Sequence, residues 1–127
     1  MKILLINPPS FNTVTSCLPK TLDEGRGFSP PLGIMYIAAQ IEKNTNHQVE
    51  IIDAQVDELS YEQLKTEIEK RKPDVVGITT MTFTLIDAIK TAKIVKEINP
   101  NIKIILGGPH VIIYPTETIG IKEVDFV

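Results

Sequence analysis

The chain predicts an α/β fold, a doubly wound sheet of five parallel strands in the order 2-1-3-4-5, and three observations carry that expectation. Short β-branched runs alternate with helical periods along all 127 residues. Most of those runs are continuously apolar rather than alternating, as strands covered on both faces should be. Two permissive turns, Gly77-Ile78-Thr79-Thr80-Met81 and Gly107-Gly108-Pro109-His110, come where such runs end. In an open parallel sheet, the loops leaving the carboxyl ends of neighbouring strands line the crevice where ligands bind.

The predicted strands are Ile3–Ile6, Val49–Ile52, Val75–Ile78, Ile102–Leu106 and Val124–Val127. Ser29 with Pro30 and Pro31 opens a helix running to about Lys43, because proline is tolerated in a first turn. Ser60-Tyr61-Glu62-Gln63 reads as a capping box for a helix that ends before Pro73. From Thr84 to Ile98, Leu85, Ala88, Ile89, Ala92 and Val95 recur at helical spacing, and Asn99-Pro100 stops the run. Pro115 to Ile121 is a short final helix. This is the flavodoxin-like, or Rossmann-like, arrangement. The connection from Asn7 to Ser29 is far longer than the roughly 2–6 residues usual in such units, which favours a functional loop over a disordered one. The chain closes on Phe126-Val127 within an expected strand, which suggests a single domain excerpted from a longer polypeptide.

Composition narrows the function. Hydrophobic residues make up 43% and the formal net charge is -3, so no basic surface is offered to nucleic acid or an anionic membrane. No apolar run approaches the ~20 residues that span a bilayer. The single cysteine, Cys17, rules out an internal disulfide, and the cytoplasm is the expected location. The Walker loop and the dinucleotide fingerprint are both missing; the first strand is followed by Asn7-Pro8-Pro9. A phosphoacceptor domain of this architecture needs acidic residues where Asn7 and Thr79-Thr80 stand. Two histidines and one cysteine assemble no nucleophilic triad.

Several residues nevertheless suit a ligand. Gly107 and Gly108 remove side chains beside the third and fourth strands, although ordinary strand-to-helix turns also demand glycine. Thr79 and Thr80 carry hydroxyls for a ring edge or a ribose, against the alternative of helix capping, which Thr82 or Thr84 can also fill. Met81 either packs on a ligand or fills core. His110 either donates to a ligand or is a partly exposed loop residue. Asp53 ends the second strand, where dinucleotide folds hold ribose. Asp53, Asp57 and Glu58 form a carboxylate group better read as solvated loop than as a cation site.

The runs Leu4-Leu5-Ile6-Asn7-Pro8-Pro9, Val76-Gly77-Ile78-Thr79-Thr80-Met81 and Ile105-Leu106-Gly107-Gly108 resemble the cobalamin-binding domain of cobalamin-dependent radical S-adenosylmethionine enzymes. So do Pro30-Pro31-Leu32-Gly33-Ile34-Met35-Tyr36-Ile37-Ala38-Ala39 and Val49-Glu50-Ile51-Ile52-Asp53-Ala54. That family includes methyltransferases and the anaerobic magnesium-protoporphyrin oxidative cyclase. The resemblance implies cofactor contacts from Asn7, Pro8, Thr79, Thr80, Met81, Gly107, Gly108, Pro109 and His110, with no catalytic or metal-ligating residue. Thr79-Thr80-Met81 looks like a variant of the S-x-L site of methionine synthase-type domains, and Gly107-Gly108 matches their Gly-Gly. The D-x-H-x-x-G that supplies a lower histidine ligand to cobalt is absent, a departure that many radical members share. The Asn7–Ser29 loop would then cover the lower face of the corrin. The resemblance also implies a downstream barrel carrying S-adenosylmethionine and a 4Fe-4S cluster, whose three-cysteine motif this chain lacks. Two rival readings remain at this point: a regulatory or interaction domain that kept the fold without its cofactor, and a nucleotide-binding half of a transferase.

Overall fold

The computed structural model describes residues 1–14 and 29–127. Four strands, β1 (Lys2–Asn7), β2 (Gln48–Asp53), β3 (Val75–Thr79) and β4 (Lys103–Gly107), pair in parallel in the order β2-β1-β3-β4. Between them run α1 (Leu32–Asn44), α2 (Tyr61–Arg71) and α3 (Leu85–Ile98), with two short helices, α4 (Pro109–Ile113) and α5 (Pro115–Ile119), after β4. No helix among the described residues is long and apolar enough to cross a membrane.

Local chemistry sets most boundaries. Ser60 Oγ accepts from the Gln63 amide at 3.2 Å while Ser60 N donates to Gln63 Oε1 at 2.9 Å, the reciprocal cap expected from that tetrapeptide. At its far end α2 stops on Lys72, left-handed at φ 50°, just before Pro73. The turn into α3 is a 3-10 segment, Thr82–Thr84, closed by the Met81 amide donating to Thr84 Oγ1 at 3.2 Å. Thr84 Oγ1 thus closes the 3-10 turn, while at the N-cap position of α3 its side chain makes no cap bond to that helix.

Two expectations need correction. Val124–Val127 forms a single parallel bridge, Phe126 to Ile105, instead of a fifth strand. The cause is local: the Ile104 amide donates to the Asp125 carboxylate at 2.9 Å, so a side chain occupies the place of the next ladder bond. The second correction concerns cover. Residues alternating along the strands face opposite sides of the sheet. Leu4, Ile6, Val76, Ile78, Ile104 and Leu106 point toward α2 and α3 and are buried with Leu64, Ile68, Ala88, Ala92 and Val95. On the other side, among the described residues, only α1 packs, with Ile34 and Ala38 against Leu5, Ile3, Val49 and Ile51. There Ile105 on β4 remains 39% exposed, so the far half of this face is open.

Candidate functional site

The open half of that face becomes a slot. A cavity of about 250 Å³ runs between α1 and the strands, lined by Leu5, Gly77 and Ile105 on one wall and Ile34, Ile37 and Ile41 on the other. Its lining is almost wholly aliphatic. Thr79, Gly107 and Gly108 stand at its top. A second cavity of about 480 Å³ lies at the carboxyl ends of the strands, bounded by Asn7, Gln55, Met81, Phe83, Pro109 and the start of α1. Gly33, Ile34, Thr79 and Gly108 line both, so the crevice opens downward into the slot. An apolar recess with a few polar groups at its mouth is the usual composition of a small-molecule site.

The glycines do different work. Gly108 has φ 108°, and a Cβ there would lie 2.8 Å from the Thr80 carbonyl oxygen, so only glycine fits. Gly107 has nothing within 4 Å of a Cβ position; its missing side chain leaves slot rather than relieving a clash. A Cβ at Gly77 would meet Leu5 Cδ2 at 2.7 Å, so Gly77 makes room for the Leu5 side chain in the wall. Two backbone bonds lock the β3 and β4 turns together: Thr80 N donates to Gly107 O at 2.7 Å, and His110 N to Thr80 O at 3.2 Å.

Of the residues the sequence singled out, Asn7, Thr79, Met81, Gly108 and Pro109 line the crevice, and Gly107 lines the slot. Thr80 does not join them. The pleat that turns Thr79 to the slot turns Thr80 into the closed core, where it is fully buried with its hydroxyl 3.4 Å from the Ile78 carbonyl oxygen. Pro8 is also buried, offering its carbonyl oxygen to Gln55 Nε2 at 3.0 Å. His110 is no exposed loop residue: it sits in the first turn of α4, buried, with Nδ1 3.1 Å from Thr82 Oγ1 and its ring against Tyr114. Asp53 faces Asn7, whose Nδ2 donates to Asp53 Oδ1 at 2.8 Å. Among the described residues no group of three His, Cys, Asp or Glu is placed to hold a metal ion. Cys17 and the middle of the expected covering loop, residues 15–28, lie outside the described residues.

Sequence reasoning missed one polar cluster beside the site. Asp87 is completely buried and accepts from Asn12 N at 2.9 Å, Asn12 Nδ2 at 2.8 Å and the Tyr61 hydroxyl. Lys90 Nζ reaches Asn12 Oδ1 at 3.2 Å and lies over the Tyr61 ring. Burial, and then the hydrogen bond and charge of Asp87, push the Tyr61 hydroxyl well above its ordinary pKa. The cluster fastens the segment after β1 to α2 and α3. Its one sequence signal is the position of Asp87, in helical register with buried Thr91 and Ala88.

A family profile described as a B12 binding domain matches residues 21–127. An uncharacterised methyltransferase of Pyrococcus horikoshii is 38% identical over 118 residues, covering 93% of this chain and 24% of that protein. The anaerobic magnesium-protoporphyrin IX monomethyl ester cyclase of Rubrivivax gelatinosus is 37% identical over 81 residues, 64% of this chain and 15% of that protein. Its namesake from Cereibacter sphaeroides is 32% identical over 84 residues, 66% of this chain and 14% of that protein. The chain thus spans a quarter or less of the length of these curated relatives. By the extent of the profile match and the methyltransferase alignment, this chain belongs to the B12-binding domain family.

Proposed function

We propose that this chain is the corrinoid-holding module of a cobalamin-dependent radical S-adenosylmethionine enzyme, one that transfers a methyl group or carries out an oxidative cyclisation. The observation that carries the reading is the aliphatic slot opening from the crevice at Thr79, Gly107 and Gly108. A cofactor-free regulatory domain predicts a filled recess, and among the described residues no side chain fills this one.

The residues present fit the group. Leu5, Ile34, Ile37 and Ile105 would enclose the flat apolar ring of the nucleotide tail, and Gly107 leaves the space through which it enters. Thr79, half-buried and shared by both cavities, brings a hydroxyl to that ring or its ribose. Asn7, Met81 and Pro109 border the space for the corrin. Neither histidine of the chain lines the crevice. His110 is turned to Thr82, and His47 precedes β2 at the opposite end of the sheet. That placement supports cobalamin held without a lower histidine ligand. When bound, the cofactor supplies a cobalt centre able to carry a methyl group. Iron–sulfur cluster and S-adenosylmethionine chemistry would reside in a barrel elsewhere in a longer polypeptide of the reducing cytoplasm.

Titrating the protein with hydroxocobalamin tests this through the absorbance change that marks loss of the benzimidazole from cobalt. Binding in the micromolar range with that change is expected. Gly107→Leu should weaken binding more than about tenfold while circular dichroism and melting stay the same, because that side chain projects into slot rather than core. Absence of binding at high micromolar cobalamin by the folded protein, or unaltered binding by Gly107→Leu, would overturn the proposal.

A further inference from the structure

The crevice carries a polar device that the slot does not explain. Asn7 closes β1 and pairs in register with Asp53 at the end of β2. Asp53 Oδ1 accepts from Asn7 Nδ2 at 2.8 Å and from the Gln55 amide at 3.3 Å, which fixes the turn after β2. That turn lays the Gln55 side chain across the end of β1. Gln55 Nε2 donates to the Pro8 carbonyl oxygen at 3.0 Å and lies 3.4 Å from Asn7 Oδ1.

Both hydrogens of Gln55 Nε2 are thereby engaged, and one of the two on Asn7 Nδ2. Among the described residues, Gln55 Oε1 and the second Asn7 hydrogen have no partner. Gln55 and Asn7 are half-buried, and no buried side-chain polar atom among those residues is left unpaired, so Gln55 Oε1 is not sealed off by them. Both side chains line the crevice. The pair therefore presents one acceptor and one donor, held in place by bonds that need not be rearranged.

We propose that Asn7 and Gln55 together read a primary carboxamide on the rim of the bound ligand, and so select amidated corrins over those bearing a free carboxylate. The inference rests on the corrinoid reading above. A carboxamide supplies the complementary donor and acceptor within one plane. A carboxylate supplies acceptors only, and it sets a negative oxygen against Gln55 Oε1, a mismatch that leaves a polar group unpaired. Gln55 is thus a specificity residue at the corrin edge, separate from the slot that takes the tail.

The test varies the ligand first and the protein second. The wild-type protein is titrated with cobalamin, with the separated monocarboxylates in which one side-chain amide has been hydrolysed, and with cobinamide, which keeps the amides and lacks the tail. At least one monocarboxylate should bind about tenfold or more weakly than cobalamin. Gln55→Leu should weaken cobalamin and cobinamide by the same factor and shrink the amide-over-acid preference to about twofold. Equal affinity of the wild type for every monocarboxylate would overturn the proposal. So would a preference left intact by Gln55→Leu. Failure of cobalamin itself to bind the wild type would instead remove the underlying reading, and this one with it.

Discussion

The two faces of this sheet are made from the same four strands, yet one is solid and the other hollow. Toward α2 and α3 the strands send Leu4, Ile6, Val76, Ile78, Ile104 and Leu106, all at most 2% exposed. Toward α1 they send Ile3, Leu5, Val75, Gly77, Ile105 and Gly107, alternate residues of the same segments. Two of those six are glycines, and among the described residues only one helix covers them. The difference is thus set by one residue in two along each strand, with no change in secondary structure. A parallel sheet normally hides both faces. Leaving one half-open surrenders hydrophobic burial and keeps an aliphatic recess.

The sharpest way to break the comparison is to truncate the same kind of side chain on each face. Ile104→Ala removes a fully buried residue from the closed core and should destabilise by about 2–5 kcal/mol. Its sequence neighbour Ile105→Ala, on the open face, should cost about 1 kcal/mol or less. Urea unfolding of the two variants measures both. Equal losses would mean that the open face is as well packed as the closed one, and the slot reading would fall with it.

The glycines sharpen the same contrast within one dipeptide. Gly108→Ala forces a non-glycine residue to φ 108° and drives its Cβ against the Thr80 carbonyl, for an expected loss of about 1–3 kcal/mol. Gly107→Ala meets nothing and restricts the unfolded chain, so it should leave stability unchanged or raise it by about 0.5 kcal/mol. Thermal melts suffice to separate them. If both variants melt early, Gly107 serves the fold and not the ligand.

How much of this was legible follows from where the information resides. The four strands and three long helices could be read to within a few residues, because a β-branched run or a capping box acts locally. Thr79, Gly107 and Gly108 could be found because the carboxyl ends of strands in this fold face the crevice whatever the sequence around them. Thr80 shows the limit. It shares its chemistry and its place in the chain with Thr79, and only the pleat, one residue out of step, sends it into the core. The helix α4 was missed because Gly-Gly-Pro reads as loop, although proline is well suited to a first helical turn. Of the Asp87 network only the helical register of Asp87 with buried Ala88 and Thr91 gave a signal, and the Gln55 network gave none. Each joins single polar residues from segments far apart in sequence, so the partners could not be read.

The smallest expected effect concerns the edge of the closed face. The Asp125 carboxylate accepts from Lys96 Nζ of α3 at 2.6 Å, from the Ile104 amide at 2.9 Å and from Lys103 Nζ at 3.0 Å. Burial alone would raise its pKa, but these three donors outweigh that and bring it to about 2, from an ordinary 3.8. A depressed carboxyl pKa stabilises the fold fully above the unfolded value. That contribution drains away as the pH falls from about 4 through 2, where the folded state also takes up the proton. Lys103 is mostly exposed, so solvent screens part of the pairing and about 1 kcal/mol is the expected size. The difference in unfolding free energy between the wild type and Asp125→Asn should therefore be constant from pH 7 to 5 and shrink below 4. A difference that stays flat down to pH 2 would show that the charge on Asp125 does not hold the end of the chain to β4. The single bridge at Phe126 would then owe its place to backbone bonding alone.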